Sequence, residues 1–131
     1  MAEHPNAERV RRGYEAFASG DMDTVSELMA DDIVWHVGGN NSISGDYKGK
    51  KAVFGFLGRL VQETGGTLRQ EVHDILANDE HVVVLLQTSA ERNGVRSDQR
   101  AVDVMHVGAD GKIAEFWRFP EDSAAIDKMW S

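Results

Sequence analysis

The chain has 131 residues, a net charge of −8 and no cysteine. This length and a hydrophobic content of 41% fit one domain, residues 1–131, and the lack of cysteine excludes disulfides and thiolate nucleophiles. The acidic surface disfavours nucleic acid and anionic membranes as partners. Because no apolar run could span a bilayer and residues 1–6 lack a signal-peptide pattern, we expect a cytoplasmic protein.

The first half of the chain has the periodicity of three helices. Apolar residues at helical intervals predict a first helix over about 6–20, and Asp21 is placed to cap a second, short helix. A third helix is predicted over 50–63. Between the second and third helices we expect a short strand over 33–37 and a turn-rich loop over 38–46.

From residue 67 onward the apolar pattern changes to a period of two. It predicts strands near 67–76, 81–92, 98–107 and 112–119, joined by short turns and therefore antiparallel to their neighbours. The segment after Pro120 is either a short helix or a tail lying on the body of the protein. Helices followed by antiparallel strands predict an α+β fold, a cone-shaped barrel in which N-terminal helices pack on a curved, mostly antiparallel sheet. Such a cone has room for a ligand.

Asp103 is the most informative residue, because it lies in an otherwise apolar strand. A carboxylate in a poorly solvated place must be hydrogen-bonded, paired with a cation or protonated. With a turn over 108–111, we expect Asp103 to lie opposite Phe116 and diagonally to Arg118, within reach of that long side chain. The pair is either a structural ion pair or hydrogen-bonded pair, or an acid or anion-stabilising group beside an apolar ligand.

The strand around Asp103 is apolar on both faces. Ala101, Asp103 and Met105 share one face, while Val102 and Val104 share the other. A strand of this kind has both faces covered, one by the helices and the other by a second copy of the chain. We therefore expect a homodimer.

His36 is a further candidate, at the end of the first strand. A neutral imidazole there could act as a general base, and the alternative is a half-exposed histidine without a chemical role. The remaining histidines lack the spacing of metal ligands, so we expect no metal site. No phosphate-binding glycine loop is present either, and we expect no cofactor.

Several motifs resemble those of a known family. They are YEAF at 14–17, GD at 20–21, ADDIVW at 30–35, SGDYKG at 44–49 and DGKIAEFW at 110–117. This pattern, over about residues 7–120, resembles the SnoaL-like polyketide cyclases and ketosteroid isomerases of the nuclear transport factor 2-like superfamily. The resemblance implies the cone-shaped fold. It implies the activity less directly, because this scaffold hosts many functions.

The resemblance also bears on individual residues. Asp103 matches the aspartate that is protonated in ketosteroid isomerases and donates a hydrogen bond to an enolate oxygen. Val37 stands where those enzymes carry a general-base aspartate, with His36 beside it, and Gly13 stands at their catalytic tyrosine, with Tyr14 beside it. The steroid isomerase machinery is therefore not intact. Related epoxide hydrolases use an Asp-Arg-Asp cluster, for which no second aspartate is evident here.

From these features we predict a cofactor-independent enzyme that transfers protons on a small, largely apolar carbonyl or polycyclic compound, as an isomerase, cyclase or dehydratase does. The candidate catalytic residues are Asp103, His36 and Arg118. The candidate substrate-binding residues are Tyr14, Trp35, Val37, Met105 and Phe116. The alternative is a non-catalytic ligand-binding or dimeric scaffold protein of the same fold, which the missing base and tyrosine favour.

Overall fold

A computed structural model describes residues 3–131 as helices packed on one six-stranded sheet. The helices are α1 (Pro5–Ser19), α2 (Met22–Glu27), α3 (Lys50–Glu63) and α4 (Ser123–Met129). The strands are β1 (Met29–Val37), β2 (Gly45–Lys48), β3 (Arg69–Ala77), β4 (His81–Arg92), β5 (Val95–Val107) and β6 (Ile113–Pro120). Their order in the sheet is β2-β1-β6-β5-β4-β3, and only β1 and β6 pair in parallel. The predicted α+β class with a mostly antiparallel sheet is confirmed.

Both N-terminal helices have well-defined ends. The N–H of Asn6 donates to the ring of His4 at the start of α1, and Gly20 ends the helix with a φ of 78°, a left-handed conformation that suits glycine. Asp21 then caps α2 by accepting a hydrogen bond from the backbone N–H of Thr24 at 3.2 Å. The predicted helices and the cap at Asp21 are confirmed.

Two segments differ from the sequence-based expectation. The predicted loop over 38–46 runs into β2, which pairs with the end of β1. β1 itself starts at Met29, four residues earlier than predicted, because an irregularity between Met29 and Val34 lets the strand pair with β6 on both sides of it. The open alternative after Pro120 is decided in favour of a helix, α4, which buries Met129 in the core.

The register of β5 and β6 corrects the prediction around Asp103. Asp103 lies directly opposite Arg118, and Phe116 lies opposite Met105 instead. The predicted register is wrong by two residues for two reasons. The turn is one residue longer than expected, since Val107 pairs with Ile113, and Ala114 is then left over as a β-bulge before Glu115. An even shift leaves every side chain on its predicted face.

The core lies between the inner face of the sheet and the helices. Its most buried apolar residues, all without exposed surface, are Ile33, Val53, Val82 and Val84. Along β5 the buried residues alternate with less buried ones. Ala101, Asp103 and Met105, which were predicted to share a face, all lie inside. No helix within residues 3–131 combines the length and the apolar character needed to cross a membrane.

Candidate functional site

A cavity of about 510 Å³ lies between the inner face of the sheet and the helices. Its size is that of a small-molecule site. Most of the lining is apolar, and it includes all five residues predicted to contact a substrate. These are Tyr14, Trp35, Val37, Met105 and Phe116. All five therefore lie in the wall of this cavity, and their contact with a substrate stays a prediction.

Two aromatic rings form one wall of this cavity. The parallel pairing of β1 with β6 sets Trp35 beside Phe116, and the two rings stack with centroids 3.7 Å apart and planes 15° from parallel. Phe56 of α3 contacts Trp35 from the helical side, with ring centroids 6.3 Å apart. A rigid aromatic wall of this kind favours a flat, apolar ligand.

A polar cluster interrupts the apolar lining at one end. Arg118 donates to both carboxylate oxygens of Asp103, from Nε at 2.6 Å and from Nη2 at 2.8 Å. The hydroxyl of Tyr14 donates to Oδ2 of the same carboxylate. Arg118 Nη2 also donates to Oε1 of Gln70 at 2.5 Å. Four residues from α1, β3, β5 and β6 thus form one hydrogen-bonded network, called here the Asp103 cluster.

Asp103 lies behind the other members of the Asp103 cluster. Its side chain is 0% exposed, and it does not line the cavity, whereas Tyr14, Gln70 and Arg118 all do. A molecule in the cavity would therefore meet the hydroxyl of Tyr14 and the guanidinium of Arg118 before it met the carboxylate. Any chemistry of Asp103 has to pass through these two neighbours.

The charges in the Asp103 cluster support one another. Burial raises the pKa of Tyr14 well above its ordinary value, and the negative charge of Asp103 raises it further, so the phenol stays neutral. Burial alone would lower the pKa of Arg118, but the charge and hydrogen bonds of Asp103 outweigh it and raise that pKa. At neutral pH the cluster holds a guanidinium and a neutral phenol.

His36 lies on the other face of the sheet from Asp103. It pairs with Trp117 and stacks on that ring, whereas its neighbour Trp35 pairs with Phe116 on the inner face. Nδ1 of His36 is 2.7 Å from Asp46 Oδ1, and Nε2 is 2.8 Å from Glu115 Oε2. The hydrogen bond with Glu115 is the main cause of a raised pKa for His36. The structure does not bring His36 together with Asp103 and Arg118.

Gln70 is the residue of this site that the sequence did not reveal. It occupies the second position on Arg118, where an Asp-Arg-Asp cluster would need another carboxylate. The sequence indicates the face on which Gln70 lies, because Gln70 and the apolar Val72 are two residues apart on β3. It does not indicate that Gln70 contacts Arg118, because β4 and β5 separate β3 from β6 in the sheet. Within residues 3–131, no three histidine or carboxylate side chains converge as a metal site would require.

Comparison with known proteins gives a family match over most of the chain and similar proteins over nearly its full length. The profile of the SnoaL-like domain family matches residues 10–116. The uncharacterised protein Rv0034 of Mycobacterium tuberculosis is 30% identical over 132 residues, which cover 100% of both chains. Among solved structures, Bal32a from a soil-derived mobile gene cassette is 38% identical, with a TM-score of 0.91 and 96% of each chain covered.

A more distant structure shares the fold alone. It is a protein of Jannaschia sp. CCS1 that is provisionally described as a SnoaL-like polyketide cyclase. It is 19% identical, has a TM-score of 0.79, and the match covers 100% of this chain and 98% of that one.

Proposed function

The chain belongs to the SnoaL-like domain family, and from this premise we propose that it removes a proton next to a carbonyl group in a small, largely apolar compound. Isomerisation, aldol cyclisation and dehydration all start with such a step. The observation that carries the proposal is the connection, through Tyr14 and Arg118, between a fully buried carboxylate and an apolar cavity. It rests on the Asp103 cluster and not on His36.

The proposed step transfers two protons and one negative charge. The substrate carbon gives its proton to the oxygen of Tyr14 while the hydroxyl proton of Tyr14 passes to Oδ2 of Asp103, to which it is already hydrogen-bonded. The electron pair left on the substrate moves to its carbonyl oxygen, beside Arg118. The negative charge thus passes from one partner of the guanidinium to another, and the total charge of the site is unchanged. Stabilisation of a developing oxyanion in a poorly solvated site is a large catalytic effect.

The proposal is tested with 2-tetralone, a flat ketone with acidic protons at C1. We expect the protein to accelerate exchange of these protons for deuterium in D₂O, followed by proton NMR. Tyr14→Phe should lower the acceleration by about 100-fold or more, the lower end of the range for proton-transfer groups. The dissociation constant of the Tyr14→Phe variant for 2-tetralone should stay within about threefold of the wild-type value. Tyr47→Phe is the matched control, because Tyr47 bonds to the backbone of Ile43 outside the Asp103 cluster.

A non-catalytic binding protein is the second candidate. It is favoured by the arrangement around Asp103, whose two oxygens already accept three hydrogen bonds from protein groups. Under this alternative, 2-tetralone binds to the protein, but its C1 protons exchange no faster than in buffer. The Tyr14→Phe variant should then give the same exchange rate as the wild-type protein. Exchange that persists at the wild-type rate in Tyr14→Phe would also contradict the proposed relay.

We further propose that two copies associate through the outer face of the sheet. This face carries half-buried Val102 and Val104 and two strongly exposed apolar side chains, Leu76 and Phe119, which are 52% and 56% exposed. Apolar surface of this kind is a common feature of sites where proteins associate. A second copy would cover it and leave both cavities on the far faces of the sheets.

Sedimentation velocity tests this association. We expect the wild-type protein to sediment as a dimer at micromolar concentration and Phe119→Glu to sediment as a monomer, because a carboxylate would be desolvated in the interface. Val61→Glu is the control, since Val61 is also apolar and 44% exposed but lies on α3. A monomeric wild-type protein, or an effect of Val61→Glu equal to that of Phe119→Glu, would refute the proposed interface.

A further inference from the structure

The orientation of the Gln70 side-chain amide is fixed by its partner. Arg118 can only donate hydrogen bonds, so the atom of Gln70 that lies 2.5 Å from Arg118 Nη2 must be the amide oxygen. The amide nitrogen, Nε2, is then held on the other branch of the amide and carries two hydrogens. No choice of amide flip is left open at this residue.

Two nitrogens of the Asp103 cluster have hydrogens to spare. Within residues 3–131, neither Nε2 of Gln70 nor Nη1 of Arg118 donates to a protein atom. No buried side-chain nitrogen or oxygen of that range lacks a hydrogen-bond partner, so both nitrogens are accessible. Gln70 and Arg118 both line the cavity, and the side chain of Arg118 is 29% exposed. The free donors therefore belong to the polar end of the cavity.

The two free donors are connected through the hydrogen bond between Gln70 and Arg118. Nε2 of Gln70 is in the same planar amide as the oxygen that accepts from Arg118, and Nη1 is in the same guanidinium as the nitrogen that donates. This hydrogen bond joins the two planar groups across the inner face of the sheet. Because Asp103 already offsets the charge of Arg118, the pair presents two directed donors and little net charge. That combination suits a polar but uncharged oxygen better than a free anion.

We infer that Gln70 is a specificity-determining residue, which together with Nη1 of Arg118 binds the carbonyl oxygen of a ketone, ester or quinone in the cavity. This inference rests on the proposed function and names the contact that selects its substrate class. Gln70 Nε2 donates one hydrogen bond, Arg118 Nη1 donates another, and the apolar remainder of the ligand lies against Trp35 and Phe116. A hydrocarbon of the same shape leaves both donors without a partner, which the site penalises.

The inference is tested by comparing 2-tetralone with tetralin, which lacks only the carbonyl oxygen. Dissociation constants are measured from the quenching of tryptophan fluorescence, without any turnover. We expect the wild-type protein to bind 2-tetralone about tenfold or more tightly than tetralin. Gln70→Glu should raise the dissociation constant for 2-tetralone by roughly three- to tenfold, which corresponds to the loss of one hydrogen bond. The affinity for tetralin should change by less than about twofold.

A pair of variants separates the donor role from a merely structural one. Gln70→Glu keeps an oxygen for Arg118 Nη2 but loses the amide donor, whereas Gln70→Met loses both. If Gln70 only holds Arg118 in place, Gln70→Glu should bind 2-tetralone as the wild-type protein does and Gln70→Met should not, which would overturn the inference. Gln87→Met is the control, because Gln87 lies on the outer face of the sheet, on β4, and is hydrogen-bonded to Asp98. This variant should bind 2-tetralone as tightly as the wild-type protein does.

Failure of this inference can be told apart from failure of the proposed function. Equal wild-type affinities for 2-tetralone and tetralin, or no detectable binding of 2-tetralone, would overturn the carbonyl contact whatever the exchange rate. A clear preference for 2-tetralone that depends on Gln70, without faster deuterium exchange, would support the contact and leave only the catalytic proposal refuted.

Discussion

Replacing Asp103 with leucine is expected to lower the free energy of unfolding by about 3–5 kcal/mol, the usual cost of breaking a buried ion pair on one side. The change leaves the guanidinium of Arg118 without its anion and the hydroxyl of Tyr14 without its acceptor. Arg118 is 29% exposed, so water in the cavity can solvate part of its charge and hold the loss toward the lower end of that range.

Urea unfolding followed by circular dichroism measures this loss. Asp98→Leu, on the same strand but exposed, is the control and should change the free energy of unfolding by less than about 1 kcal/mol. The double variant Asp103→Leu with Arg118→Met should recover much of the loss, because it removes the unpaired charge as well. A loss below about 1 kcal/mol for Asp103→Leu, or a double variant less stable than the single one, would contradict a paired, buried carboxylate.

The ion pair itself could be predicted because it depends on short-range rules. Side chains alternate along a strand, and two strands joined by a turn are neighbours, so the expected register placed Asp103 and Arg118 on one face. The actual shift of two residues, being even, kept them there. Their register could not be predicted, because it depends on Ala114, an unremarkable residue that forms a bulge only in the folded sheet. The shift by two residues changed the pair from diagonal to directly opposed and made the bidentate geometry possible.

Gln70 and His36 show where sequence reasoning has less power. The contact between Gln70 and Arg118 crosses two intervening strands, and it exists only because the sheet curves enough to bring β3 and β6 within reach of two long side chains. No spacing along the chain encodes that curvature. His36 had the right residue type at the right strand, but β2, which was expected to be a loop, supplies Asp46 as its partner on the outer face.

The aromatic wall predicts the second large effect, which is a loss of about 3–5 kcal/mol in the free energy of unfolding for Phe116→Ala. Phe116 is 4% exposed, lies opposite Met105 and stacks on Trp35. Truncation removes the ring from a place where the paired strands β5, β6 and β1 cannot easily move inward to fill the space. Most of the volume of the ring should therefore remain as extra cavity. Phe116→Leu keeps more of that volume and should lose less, about 1–2 kcal/mol.

Chemical denaturation of both variants, with Val61→Ala as an exposed apolar control, measures these losses. A double-mutant cycle with Trp35→Leu should give a coupling energy of about 0.5–1.5 kcal/mol, the range for a stacked aromatic pair beyond its buried area. Additive losses would show that the two rings pack independently. Since the same rings line the cavity, coupling would mean that one packed unit both stabilises the sheet and shapes the surface against which a flat ligand lies.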